Sequence, residues 1–126
     1  VSGLDAGKVY QTWPLMGYSF FPDDLELNKF KIFFDFNSHS LVQFYHRITA
    51  YFITAYILIL SIDIFKNNKT KLKSPMKLLL FVLLFQVTLG VFTLLSDLHI
   101  VLASAHQISS VILVLSALNL YYSIIK

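Results

Sequence analysis

The sequence predicts an all-α transmembrane protein, and two observations support that prediction. Hydrophobic residues make up 56% of the 126 residues and charged residues only 13%, which is too apolar for an ordinary soluble domain. Three apolar stretches each reach the roughly 20 residues that a helix needs to cross a hydrocarbon core about 30 Å thick. We therefore expect three membrane helices preceded by an aromatic-rich outer loop.

Charged or turn-forming residues bound each predicted span. The spans cover about residues 41–65, 76–96 and 100–125, which together make a membrane region over 41–126. Residues 1–40 precede that region. The chain opens on Val1 without a start methionine or a leader, and we expect its first residues to be the end of a truncated upstream helix.

Lysines orient the predicted helices, because basic residues in short loops favour the inner side of a membrane. The loop between the first two spans holds Lys66, Lys69, Lys71, Lys73 and Lys77. The first span therefore ends inside, and residues 1–40 lie outside. The net charge of +3 follows from this topology and does not indicate nucleic-acid binding. The chain has no cysteine, so it forms neither a disulfide nor a thiolate metal site.

Aromatic residues crowd the outer segment, where amphipathic rings suit the membrane interface. They are Tyr10, Trp13, Tyr18, Phe20, Phe21, Phe30, Phe33, Phe34 and Phe36. The same composition allows a short surface helix near residues 24–34, and the segment could cap a site below it.

Two histidines, His46 and His106, stand about six residues below the outer starts of the first and third spans, or roughly 9 Å down at helical rise. These two spans run in the same direction because one span separates them. The imidazoles therefore reach a similar depth near the outer face. Matched imidazoles on facing helices are what the two axial positions of a heme iron need.

The residues around these histidines suit a flat cofactor. Small side chains beside His106, and Ala50 one turn below His46, let a macrocycle or another helix approach the backbone. Arg47 can pair with a heme propionate, since an unpaired guanidinium in hydrocarbon is unfavourable.

Two other interpretations of the histidines stay open: interhelical hydrogen bonding, and a proton or ion pathway. Arg47 can also snorkel to the interface. Gln86 and Gly90 in the second span indicate close helix packing, and His39 and His99 fall in or near outer loops.

Four stretches resemble the C-terminal half of the heme A synthase family and fall in the same order. They are "VSGLDAGKVYQTWPLMG", "LVQFYHRITAY", "FQVTLGVFTLL" and "LASAHQISSVILVLSAL". Each motif is weak by itself, and their ordered combination is specific. The resemblance implies an eight-helix protein made of two four-helix halves, with the three spans here as the last three helices.

The resemblance also implies chemistry: this family oxidises a methyl group of heme O to the formyl group of heme A. The C-terminal half would hold a heme b cofactor, with iron bound by His46 and His106. Gln43, Arg47 and Gln107 would be its near neighbours. The missing N-terminal half would hold the heme O substrate, so we expect the fragment by itself to be inactive. The catalytic residues stay unassigned.

The implied partners are the lipid bilayer, the missing half of the same protein, and heme O synthase or a terminal oxidase. The implied location is a bacterial cell membrane or the mitochondrial inner membrane. A bis-histidine membrane anchor of the cytochrome b type, which carries electrons without chemistry of its own, is the main alternative. A transporter or scaffold without a cofactor is the other.

Overall fold

The computed structural model describes residues 6–24 and 34–126. The predicted end of an upstream helix covers residues 1–7, of which residues 1–5 lie outside the described part. Most of the predicted surface helix, over residues 25–33, lies outside it as well. A 3-10 turn covers Ala6–Lys8, and three α-helices follow. They are α1 (His39–Lys66), α2 (Thr70–Leu95) and α3 (Ile100–Ile125).

All three helices are long and apolar enough to cross a membrane, which confirms the predicted fold class. Within residues 6–24 and 34–126 there is no β-strand beyond an isolated bridge between Met16 and Ser19. Large apolar side chains point away from the bundle; Phe52 is 72% exposed and Phe81 69% exposed. An apolar surface of this extent requires a lipid environment. The chain is therefore an integral membrane protein.

Helix α2 begins at Thr70, about six residues earlier than the predicted start after Pro75. The first four N–H groups of any helix have no intrahelical acceptor, and a proline just past them removes one hydrogen bond, here the one to the Lys71 carbonyl. Pro75 occupies the sixth position of α2 and is buried there. The proline therefore lies within the helix instead of marking its boundary.

Local hydrogen bonds define both ends of α1. The Ser38 hydroxyl accepts a hydrogen bond from the backbone N–H of Leu41 at 3.4 Å, as an N-cap does. At the other end the Asp63 carboxylate pairs with the Lys69 ammonium at 2.6 Å and accepts a bond from the Asn67 amide at 2.6 Å. These contacts close the short turn into α2.

The apolar core lies toward the end of the bundle that carries the α1–α2 turn and its lysines, which we call the lysine end. Its buried residues are Ile57, Ile64, Met76, Leu79, Leu83 and Leu120. Helices α2 and α3 pack along each other, and α1 has less contact with α2. The opposite end, which carries His46 and His106, is the histidine end. There hydrogen bonds of Gln86, His106 and Ser109 join α2 to α3.

Candidate functional site

The imidazole rings of His46 on α1 and His106 on α3 lie next to each other. Their centroids are 6.4 Å apart and their planes are nearly perpendicular, at 82°. The His46 side chain is exposed and that of His106 is half-buried. The two histidines that the spacing predicts at one depth are thus neighbours in space.

Helix α2 orients the His106 ring, although it contributes no histidine. The Nδ1 atom of His106 lies 3.2 Å from the backbone carbonyl oxygen of Gln86. Because a carbonyl oxygen only accepts hydrogen bonds, Nδ1 carries the ring proton and donates it. The Nε2 atom then keeps its lone pair, which is the form of imidazole that binds a metal.

Gly90 provides the space for that ring. A Cβ atom at this position would lie 2.9 Å from Cε1 and 3.3 Å from Nδ1 of His106. Any side chain other than hydrogen would therefore displace the imidazole or separate the two helices. Sequence reasoning assigned Gly90 to helix packing, which is confirmed, and missed that the packed group is the histidine itself.

A buried amide joins α2 to α3 directly below the histidine. The Gln86 side chain donates through Nε2 to the backbone carbonyl of His106 at 3.0 Å and accepts from the Ser109 hydroxyl. Ser109 and Gln86 are both buried. Ser109, one of the small residues predicted to admit a macrocycle, is therefore used for contact with α2.

Arg47 binds the segment of residues 6–24, which we call the N-terminal segment. Its guanidinium donates to the backbone carbonyl oxygens of Leu15 and Tyr10, each at 3.0 Å. The side chain is only 8% exposed. Two of its five N–H donors are thus satisfied by the protein's own backbone. The predicted contact of Arg47 with a propionate stays a prediction.

Gln43 binds the same segment one turn earlier in α1. Its Nε2 atom donates to the Tyr10 carbonyl at 2.8 Å, and its Oε1 accepts from the Tyr10 N–H at 3.2 Å. Gln43 is buried. Together Gln43 and Arg47 hold the Tyr10 backbone against α1, in the same turn of the helix as His46.

A carboxylate adds a second attachment for the N-terminal segment. Asp24 accepts hydrogen bonds from the Ser40 hydroxyl at 2.5 Å and the Tyr10 hydroxyl at 2.7 Å. Burial by itself raises the pKa of Asp24. The two hydrogen bonds and one from its own backbone N–H lower that pKa by more, so the net pKa of Asp24 lies below the ordinary value of a carboxyl group. Burial, followed by the bond to Asp24, raises the pKa of Tyr10.

The segment also contacts the turn between α2 and α3. The Gln11 amide donates to the Asp97 carboxylate, and Leu98 packs against Gly7 so closely that a Cβ there would clash with it. The N-terminal segment therefore reaches from α1 to the α2–α3 turn. The prediction that it could cap a site is consistent with these contacts.

Comparison with known proteins gives this geometry a family context. The family model COX15-CtaA, described as cytochrome oxidase assembly protein, matches residues 1–118. The chain belongs to this family. Heme A synthase of Pelagibacter ubique is 38% identical over 125 residues, covering 97% of this chain and 36% of that protein. No solved structure matches the chain significantly.

Two rickettsial relatives in the same family give a similar picture. Heme A synthase of Rickettsia massiliae is 39% identical over 116 residues, covering 90% of this chain and 33% of the relative. That of Rickettsia felis is 38% identical over 128 residues, covering 100% of this chain and 37% of the relative. The chain thus spans about a third of the length of the curated relatives it matches.

One residue implied by the family resemblance, Gln107, and two histidines outside the predicted site, His39 and His99, complete the described set. Gln107 follows His106 directly and is exposed. His39, the first residue of α1, and His99, at the N-cap of α3, are exposed as expected. Among residues 6–24 and 34–126 no group of three or more His, Cys, Asp or Glu side chains comes together as a metal site. A heme iron receives its other nitrogen ligands from the macrocycle, so a heme site needs only two imidazoles from the protein.

Proposed function

We propose that this chain forms the heme-holding part of a heme A synthase, with His46 and His106 as the two axial ligands of a heme b iron. The single observation that carries the proposal is the 6.4 Å separation of the two ring centroids across α1 and α3. Metal–nitrogen bonds of about 2 Å, with roughly 1 Å more from each nitrogen to its ring centroid, separate two axial imidazoles by about 6 Å. The pair fits that spacing.

The environment of His106 supports the same role. A metal-binding histidine generally donates its other ring N–H to a carbonyl or carboxylate, which fixes the tautomer. The Gln86 carbonyl accepts from Nδ1 in this way, and Gly90 leaves the ring space to adopt that orientation. A heme b held by His46 and His106 would supply electron transfer.

The neighbouring polar residues take supporting roles in this proposal. Arg47 and Gln43 hold the N-terminal segment beside the histidine end, and Arg47 retains donors for a heme propionate. Gln107 lies next to His106, at the rim of the pair. The N-terminal segment then separates the cofactor from water at what we expect to be the outer face of the membrane.

At full length, we propose, the protein oxidises the methyl group of heme O to the formyl group of heme A. The relatives that support this carry the name heme A synthase and are about three times as long as this chain. We assign the heme O substrate to a further region of the protein, and heme O synthase or a terminal oxidase to its partners. A cell membrane or the mitochondrial inner membrane is the corresponding location.

Substitution of each histidine in the full-length protein tests the proposal. We expect His46→Ala and His106→Ala each to lose most of the bound heme, or to lose the low-spin optical and electron paramagnetic resonance signals of the bis-histidine iron. His99→Ala is the matched control, because this exposed histidine lies seven residues from His106 on the same helix end and should leave both signals unchanged.

Heme content and spectra equal to wild type in both variants would exclude the ligand assignment. Chromatography of extracted hemes after supply of heme O tests the enzyme assignment separately. A protein that keeps its heme b and forms no heme A would instead be an electron-carrying anchor of the cytochrome b type.

A further inference from the structure

A polar cavity of about 470 Å³ opens at the lysine end, between the first turn of α2 and the last two turns of α3. Its lining residues are Lys71, Asn119, Tyr122, Ser123 and Lys126. The histidine pair lies at the opposite end of the same helices. The cavity is therefore separate from the proposed heme site.

Four of the five lining residues form one face of α3. Their positions, 119, 122, 123 and 126, have the spacing that aligns side chains along a helix. The Ser123 hydroxyl donates to the Asn119 backbone carbonyl at 2.9 Å. The Lys126 ammonium lies 4.7 Å from the centroid of the Tyr122 ring, in cation–π contact. In a bilayer, a polar face on an otherwise apolar helix marks a position where polar groups are bound.

The charge of the cavity is positive. Lys71 and Lys126 contribute two ammonium groups, and no acidic residue is among the described side chains that line it. Asp63, an acidic residue in the last turn of α1, is paired with Lys69 at 2.6 Å. Basic pockets between membrane helices bind the anionic headgroups of lipids. Both lysines are exposed and can reach such a group.

We propose that this cavity binds the headgroup of an anionic phospholipid. Lys71 and Lys126 would pair with the phosphate diester, and the Asn119 side-chain amide would donate to a glycerol ester oxygen. Positions 119 and 126 are about 10 Å apart along the helix at a rise of roughly 1.5 Å per residue. This separation is longer than a single phosphate group and matches a lipid headgroup together with its glycerol. The glycerol esters of a lipid lie deeper in the bilayer than its phosphate.

Lipid titration of the delipidated full-length protein, followed by native mass spectrometry, tests the proposal. The probes are phosphatidylglycerol, phosphatidylcholine and inorganic phosphate. We expect phosphatidylglycerol to bind in preference to phosphatidylcholine, and inorganic phosphate not to displace it. Lys71→Gln and Lys126→Gln should each weaken phosphatidylglycerol binding roughly fivefold, and the double variant roughly 25-fold.

Lys77→Gln is the matched control, because Lys77 is an exposed lysine of α2 that does not line the cavity. It should retain wild-type affinity, and Lys71→Arg should restore most of what Lys71→Gln loses. Equal binding of the two lipids, or an equal loss in Lys77→Gln, would overturn the proposal. Displacement of the lipid by inorganic phosphate would overturn it as well, by showing a phosphate site instead.

Discussion

The backbone carbonyl of Gln86 accepts a hydrogen bond from the His106 imidazole over 3.2 Å, so a residue of α2 orients a ring of α3. The same Gln86 returns a bond from its side chain to the His106 carbonyl at 3.0 Å. This reciprocal pair fixes the helix register at the depth of the histidines. The second membrane helix therefore acts as the support of a site whose proposed ligands lie on the first and third.

Replacing Gly90 by alanine should disturb the proposed heme site directly. The new Cβ would lie 2.9 Å from Cε1 of His106, and overpacking of this kind destabilises by about 1–3 kcal/mol. We expect a lower heme-to-protein ratio and altered g values in electron paramagnetic resonance. Thr88→Ala, an exposed change on the same helix, is the control. Wild-type spectra in Gly90→Ala would show that the ring is not confined by this glycine.

Removing the buried amide should weaken the contact between α2 and α3. Gln86→Leu eliminates bonds to the His106 carbonyl and the Ser109 hydroxyl, and side-chain hydrogen bonds between membrane helices contribute about 0.6 to 1.7 kcal/mol. We expect a loss of about 1–2 kcal/mol in unfolding from mixed micelles. A double-mutant cycle with Ser109→Ala should give a coupling free energy of several tenths of a kcal/mol. Strict additivity would mean that the two side chains act independently.

Arg47→Gln should release the N-terminal segment. The variant loses two charged hydrogen bonds, each with a contribution of about 1.5–3 kcal/mol, to the carbonyls of Leu15 and Tyr10. We expect amide hydrogen exchange of residues 10–15 to accelerate at least about tenfold. Arg47→Lys should have an intermediate effect, since one ammonium lacks the planar fork that reaches both oxygens. Unchanged exchange together with lost heme would indicate that Arg47 serves mainly a propionate.

Acid should loosen the same segment through Asp24. Its folded-state pKa is lowered, so its carboxylate stabilises the attachment to Ser40 and Tyr10 at pH values above the unfolded-state pKa. That stabilisation is lost as the pH falls through the lowered folded-state pKa. Pepsin cleavage within residues 10–24, measured relative to a free peptide of the same sequence, should therefore rise at the acid end of the range.

Asp24→Asn is the control for that pH dependence. It lacks the titrating carboxylate, so its relative cleavage should be high throughout and nearly independent of pH. The interpretation fails if wild type and Asp24→Asn show the same pH profile.

Much of the histidine end could be predicted from the sequence, because its main features are local. Helical rise and span length predict similar depths for His46 and His106, and the centroids of their rings do lie only 6.4 Å apart. The packing role expected for Gln86 and Gly90 is also confirmed. The helix α2 starts before the predicted position, because it continues through Pro75, whose ring removes only one hydrogen bond there.

The partners of the buried polar groups could not be predicted in the same way. The structure pairs Arg47 with carbonyls more than thirty residues away in sequence, and its contact with a propionate stays a prediction. The attachment of Tyr10 to Gln43, and that of Asp24 to Ser40, likewise join distant positions. A hydrophobicity pattern carries no information on such pairings, because any carbonyl or hydroxyl within reach would satisfy the same donor.

By itself, the sequence determined that this chain spans a membrane with three helices and that the first and the third each carry a histidine near their start, for which it predicts a similar depth. Hydropathy and helical geometry are properties of contiguous residues, so they can be read along the chain. Only the tertiary structure decided that α2 supplies the carbonyl and the space for His106, that Arg47 holds the N-terminal segment, and that two lysines share a cavity at the far end. These features depend on which helix faces meet, and packing between distant segments alone specifies that.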